Sequence, residues 1–93
     1  SSSGGIVNLT MEIKSIENID KIDIDIEGVK FLEFKKNEDK YVLTFEYSHT
    51  IDPREKIFNF AVKNKWIILG MNTIETNLED VFRSLTMEDS ANA

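Results

Sequence analysis

The sequence predicts an α+β domain built on a four-stranded antiparallel sheet. Three observations carry that expectation. Four stretches alternate apolar and polar residues or are rich in β-formers, the mark of half-buried strands. Polar or glycine-containing turns separate them. Helix-start signals stand at Asp52-Pro53-Arg54-Glu55 and Thr76-Asn77-Leu78-Glu79.

The first stretch, Ile6 to Lys14, sets Val7, Leu9, Met11 and Ile13 on one face and Asn8, Thr10, Glu12 and Lys14 on the other. Ser15 then caps an expected short helix over 16–22, because Ile16, Ile19 and Ile22 recur every three residues. Asp23 to Gly28 alternates and reads as a strand start or an extended loop, with Gly28 a turn or bulge point. Val29 to Lys36 is a second strand, with Leu32 and Phe34 expected inward; Phe31 breaks the alternation and implies a bulge or an exposed aromatic. Asn37 to Lys40 is a polar hairpin turn, and Tyr41, Leu43, Phe45 and Tyr47 form the next inward stripe.

Asp52 reads as an N-cap with Pro53 at the first helical position and Glu55 completing a capping box. The helix that follows is expected to bury Ile57, Phe58, Ala61 and Val62 and to end at Lys63-Asn64-Lys65. Trp66 to Ile74 is the last strand, with Gly70 marking a bulge or a close helix crossing. A final helix carries Leu78, Val81, Phe82 and Leu85 at i, i+3, i+4 and i+7. The first six elements spell the βαββαβ order of ferredoxin-like folds, with helices on one face of the sheet; the C-terminal helix is an addition. Residues 1–5 read as linker or expression scar, 6–86 as one folded domain and 87–93 as a disordered tail, and the native chain is expected to continue upstream.

Composition narrows the function classes. The 93 residues are 41% hydrophobic and 30% charged, enough for one modest globular core. The net charge of −6 disfavours nucleic acid, whose phosphates demand a basic surface, and anionic membranes for the same reason. The longest apolar run, Trp66 to Leu69, is far too short to insert in a bilayer. The chain has no cysteine, which excludes disulfides and thiolate chemistry. Its glycines, at 4, 5, 28 and 70, form neither common phosphate-binding loop.

The remaining chemistry-bearing residues have structural readings that outweigh catalytic ones. His49, the single histidine, is expected in a solvated loop. Glu17, Asp20, Asp23, Asp25 and Glu27 lack the spacing of a calcium loop and read as a solvated acidic face. Glu33 and Glu46 are a possible cross-strand carboxylate pair, expected in solvent. The strand aromatics belong to a core. Phe60, off the main helix stripe, is the aromatic expected to face a partner.

The segment Glu75-Thr76-Asn77-Leu78-Glu79-Asp80-Val81-Phe82-Arg83-Ser84-Leu85-Thr86 resembles the "ETxLEDVFRxLT" ending of bacterial ATP-binding cassette (ABC) transporter ATPases of the gliding-motility type. In those proteins it closes a small domain that follows the nucleotide-binding domain. The resemblance implies a cytoplasmic, non-catalytic regulatory or interaction domain, peripheral to the inner membrane through the transporter. Its partners would be its own upstream ATPase domain, a twin subunit or the membrane permease. ATP and Mg2+ would be bound by the parent protein, not by this segment. Exposed Glu79, Asp80 and Arg83, with Phe60, are the expected contact residues. The family's serine before the leucine is Asn77 here, where Thr76 can cap instead. A second expectation is a stand-alone sensor of small, amino-acid-type ligands, although Lys14-Ser15-Ile16 lacks the glycine such sites favour after the first strand.

Overall fold

A computed structural model describes residues 4–77. It contains β1 (Ile6–Lys14), β2 (Val29–Asn37), β3 (Lys40–Ser48), α1 (Arg54–Lys63) and β4 (Ile67–Thr76). The strands form one antiparallel sheet in the order β2-β3-β1-β4. The chain is therefore mostly β and is not βαββαβ. Among the described residues α1 is the single helix, between β3 and β4, and residues 15–28 contain none. The expected C-terminal helix lies outside the described residues.

The core sits on one face of the central strands. Leu9, Met11, Ile13 and Leu43 are completely buried, and Phe45, Tyr41 and Tyr47 nearly so. Ile13 pairs with Tyr41, Met11 with Leu43 and Leu9 with Phe45, so the two inward stripes are in register. Ile57 and Ala61 of α1 close over them.

The missing helix has a physical reason. Ile22, Ile24 and Ile26 are half-buried against the core, while Asp23, Asp25 and Glu27 between them are exposed. That period of two requires extended backbone. A helical stripe would have buried Ile16, which is instead 93% exposed. The Tyr41 hydroxyl secures the segment: it accepts from the Ile19 N–H (3.0 Å) and donates to Asn18 Oδ1 (2.9 Å), to which Lys36 Nζ also donates (3.1 Å). The segment ends in a turn closed by the Val29 N–H and the Ile26 carbonyl at 3.0 Å, with Gly28 at φ +80°.

Two bulges re-aim side chains. In β2, Phe31 pairs with Phe45 and Glu33 with Thr44, leaving Leu32 as the extra residue. Phe31 and Phe34 thus both pack against the core, Phe31 tilted against Phe45 and Phe34 stacked on Tyr41, with ring centroids 5.5 and 5.3 Å apart. Leu32, expected inward, is 44% exposed. In β4 the register shifts between Glu12 and Ile13, which pair with Gly70 and Ile68 and leave Leu69 extra. A Cβ at Gly70 would meet nothing within 4 Å, so no helix of the described residues crosses there.

The ends of α1 differ from the expected caps. Pro53 is the N-cap and makes no side-chain capping bond. Asp52 is turned to Arg54 instead, accepting from its N–H (3.3 Å), Nε (2.7 Å) and Nη2 (2.7 Å). At the far end the Trp66 N–H donates to the Ala61 carbonyl and the Lys65 N–H to that of Val62, a Schellman motif with Lys65 at φ +61°. The motif's apolar contact is Phe60 against Trp66, ring centroids 5.5 Å apart.

Lys65 bears a left-handed backbone that glycine adopts without a Cβ penalty. Lys65→Gly is expected to stabilise the domain by about 1 kcal/mol, read from urea unfolding midpoints at unchanged slope. Gly28→Ala should destabilise it by about 1–2 kcal/mol, mostly through backbone strain. The added Cβ would lie 2.7 Å from Cδ1 of Ile51, whose part-exposed side chain can swing away.

Candidate functional site

Three surfaces carry the candidate functional residues. The first surrounds Phe60. Ile57 and Ala61 set the phase of α1, and Phe60 falls to one side of that buried line, above residues 15–23. It is half-buried. A cleft of about 250 Å3 opens here, lined by Ser15, residues 17–23, Phe60, Asn64 and Trp66. Asn64 Nδ2 donates to the Phe60 carbonyl at 2.8 Å and stiffens the rim. The aromatic pair and the neighbouring amide and carboxylates suit a small ligand with an apolar body and a polar or cationic end. The volume falls just under the roughly 300 Å3 at which ordinary ligand pockets begin.

The second surface is the end of the sheet where β3 and β4 finish. His49 is half-buried there, not solvated: its side chain is 22% exposed. The His49 backbone N–H donates to the Gly5 carbonyl at 3.0 Å. A Cβ on Gly5 would lie 3.0 Å from the imidazole Cδ2, so glycine is what lets the ring sit down. Glu75 Oε1 is 3.9 Å from Nδ1, ion-pair range but beyond a hydrogen bond. Beside them lie Tyr47 and the Asp52–Arg54 pair, around a shallow cleft of about 290 Å3. The side-chain and backbone hydrogen bonds from Arg54 hold the Asp52 carboxyl below its ordinary range, and Asp52 raises Arg54 in return. Burial pushes the Tyr47 phenol up; the Asp52 charge adds to this and Arg54 opposes it. The neighbouring Ser48 hydroxyl is engaged by Thr50 Oγ1 at 2.8 Å. The His49–Glu75 contact bridges the end of β3 and β4 as a clamp across the sheet end.

The third surface is apolar. Phe58 and Val62 of α1, expected in the core, are 50% and 56% exposed. At about 100° per residue they lie on the flank of α1 opposite Phe60 and away from residues 15–23. On β4, Met71 pairs with the fully buried Met11 and Thr73 with the fully buried Leu9, so both share the core-side face. Met71 is nonetheless 38% exposed, and Thr73 is exposed as well. Among the described residues nothing buries this part of β4.

The other sequence candidates are placed as follows. Glu17, Asp20, Asp23, Asp25 and Glu27 are exposed, and among the described residues no group of three or more metal-ligating side chains converges. Glu33 and Glu46 are not opposite one another: Glu33 pairs with Thr44 and forms an ion pair with Lys35 at 3.3 Å, and Glu46 pairs with Lys30. Glu79, Asp80 and Arg83 lie outside the described residues. Among the described residues no helix is long and apolar enough to cross a membrane. Comparison of the chain with models of protein families, with curated proteins and with solved structures finds no match.

The Phe58–Val62 flank and the His49 clamp were missed in the sequence. The signal for the first was present: positions 57, 58, 61 and 62 spread over about 140° of the helix, so burying Ile57 and Ala61 at one edge leaves Phe58 and Val62 at the other. The clamp left no comparable signal, because Gly5, His49 and Glu75 are joined only by strand register.

Because the folded Asp52 carboxyl titrates below its unfolded value, its stabilising contribution is complete above the ordinary carboxylate range and is lost as pH falls through the folded value. Asp52→Asn should therefore be less stable than the parent at neutral pH and converge with it in strong acid. Arg54→Gln should move the Asp52 carboxyl upward in a carbon-detected NMR titration.

Proposed function

We propose that this chain is the carboxy-terminal accessory domain of a bacterial ABC transporter ATPase subunit, non-catalytic by itself, acting through protein contacts. The observation that carries the reading is the run from Glu75 to Thr86, which resembles the closing segment of such domains. The exposed apolar flank of Phe58 and Val62 supports a role in packing rather than chemistry, since solvent-facing apolar clusters mark contact surfaces. In this proposal nucleotide and Mg2+ belong to an upstream domain. Glu79, Asp80 and Arg83, with the accessible edge of Phe60, contact that domain, a twin subunit or the permease on the cytoplasmic side of the membrane. The mechanism is a bias between two ATPase conformations in which these contacts differ.

A second reading, a small-ligand sensor, is favoured by one observation, the cleft between Phe60, Trp66 and residues 15–23. Its size at the lower limit of ligand pockets ranks it second.

The test is to sequence the native gene upstream of Ile6 and assay the protein it encodes. A frame carrying a phosphate-binding loop and an "LSGGQ"-type signature is expected. Removal of residues 6–93 should then change ATP turnover of the permease-bound complex by about fivefold or more while nucleotide binding persists. A frame that opens with its own methionine near Ile6 would sink the proposal and make ligand screening against the Phe60 cleft the next step.

A further inference from the structure

We propose that the outer edge of β4 pairs with the same edge of a second copy of this chain, joining two four-stranded sheets into one continuous antiparallel sheet. The proposal does not depend on the transporter reading. It rests on the backbone of one strand and on the contrast between the two edges of the sheet.

β4 closes the strand order β2-β3-β1-β4, so one side of it bonds to β1 and the other meets no strand among the described residues. Its outward N–H and C=O groups have no backbone partner among the described residues either. Such an edge is a template for another strand, and proteins that keep an edge solitary blunt it with charge, proline or bulges. The opposite edge, β2, is blunted in that way: it carries Lys30, Glu33, Lys35 and Lys36 and is bulged at Leu32. β4 is ten residues long, holds no lysine, arginine or proline, and has its single charge at Glu75, next to its end. Ile67, Leu69, Met71 and Ile74 are exposed along it. The bulge at Leu69 confines its regular part to residues 70–76.

That regular part matches itself. A twofold axis at Thr73, the midpoint of residues 70–76, sets Thr73 opposite Thr73, Asn72 opposite Ile74, Met71 opposite Glu75 and Gly70 opposite Thr76. Each pair shares a face. Met71, Thr73 and Glu75 lie on the core side with Met11, Leu9 and Val7; Gly70, Asn72, Ile74 and Thr76 lie on the other. No like charges meet, because each Glu75 falls across from a methionine. Threonine pairs are among the favourable ones across antiparallel strands. The self-match selects a second copy as the occupant over an unrelated strand, which would carry it only by coincidence. The axis is perpendicular to the sheet, so both copies keep their cores on the same side. α1 takes no part in the ladder, which leaves Phe58 and Val62 unused by it.

A ladder of this length is a small interface, so a weak dimer with a dissociation constant of about 0.1–1 mM is expected. Sedimentation equilibrium of the full chain over that range should show monomer and dimer exchanging. Thr73→Lys sets two like charges across the axis and should weaken association by about tenfold or more at unchanged monomer Tm. Phe58→Ser/Val62→Ser should leave the dissociation constant within about twofold, since neither residue touches the ladder. Amide exchange of the parent protein gives a readout without substitution. The outward amides of residues 70–76 should exchange freely in dilute protein and gain protection in concentrated protein. A chain that stays monomeric at about 1 mM, beyond the weakest affinity expected, would overturn the proposal. Protection of those outward amides already present in dilute monomer overturns it too, because another part of the same chain then holds the edge. A dimer that Thr73→Lys leaves intact also overturns it, and loss of that dimer in Phe58→Ser/Val62→Ser would move the contact to the helix flank.

Discussion

The structure depends on one register: the inward stripe of β1 laid opposite the inward stripe of β3. Leu9, Met11 and Ile13 face Phe45, Leu43 and Tyr41, and all six are dry or nearly so. Burial of each aliphatic side chain contributes about 1.5–3 kcal/mol, a large share of what a domain of this size has to spare. A one-residue slip would turn the stripe to the opposite face, where Thr10, Glu12, Thr44 and Glu46 lie. α1 and the segment from Ser15 to Gly28 cover this stripe from one face of the sheet.

How the cover is made was only partly legible. β1 and β3 were readable because alternation over nine residues is a strong local signal, and β2 and β4 from their richness in β-formers. The segment after β1 was not, because its isoleucines satisfy two periods at once. Ile16, Ile19 and Ile22 suggest a helix; Ile22, Ile24 and Ile26 suggest extended chain. The second pattern prevails because β-branched residues favour extended backbone and the Tyr41 hydroxyl, reached only through the fold, satisfies Asn18 and the Ile19 N–H. A long-range hydrogen bond of this kind leaves no mark in the local sequence.

The candidate sites follow the same division. That Phe60 stands off the buried line of α1 was readable from spacing, but its contact with Trp66 comes from the Schellman turn at Lys65, a non-glycine residue in a left-handed conformation that local propensity disfavours. The exposure of Phe58 and Val62 follows from the rotation of α1, fixed by Ile57 and Ala61 against β1 and β3. The bulge at Leu32 was one of two outcomes open at Phe31, and which one occurs depends on Phe45 lying across the ladder. In each case the sequence marked the residue and a partner distant along the chain decided its direction.

The extended segment from Ser15 to Gly28 is held very differently from the sheet it covers. It has no ladder; its backbone is tied at Ile19 to one phenol and closed at Ile26 by one turn. Its amides should exchange with solvent deuterium far sooner than those of β1 and β3, since opening it leaves every interstrand bond intact. The floor of the Phe60–Trp66 cleft belongs to this segment, whereas its roof belongs to α1. The cleft is thus bounded by a rigid wall and a separately releasable one, so its width can change while the sheet remains folded.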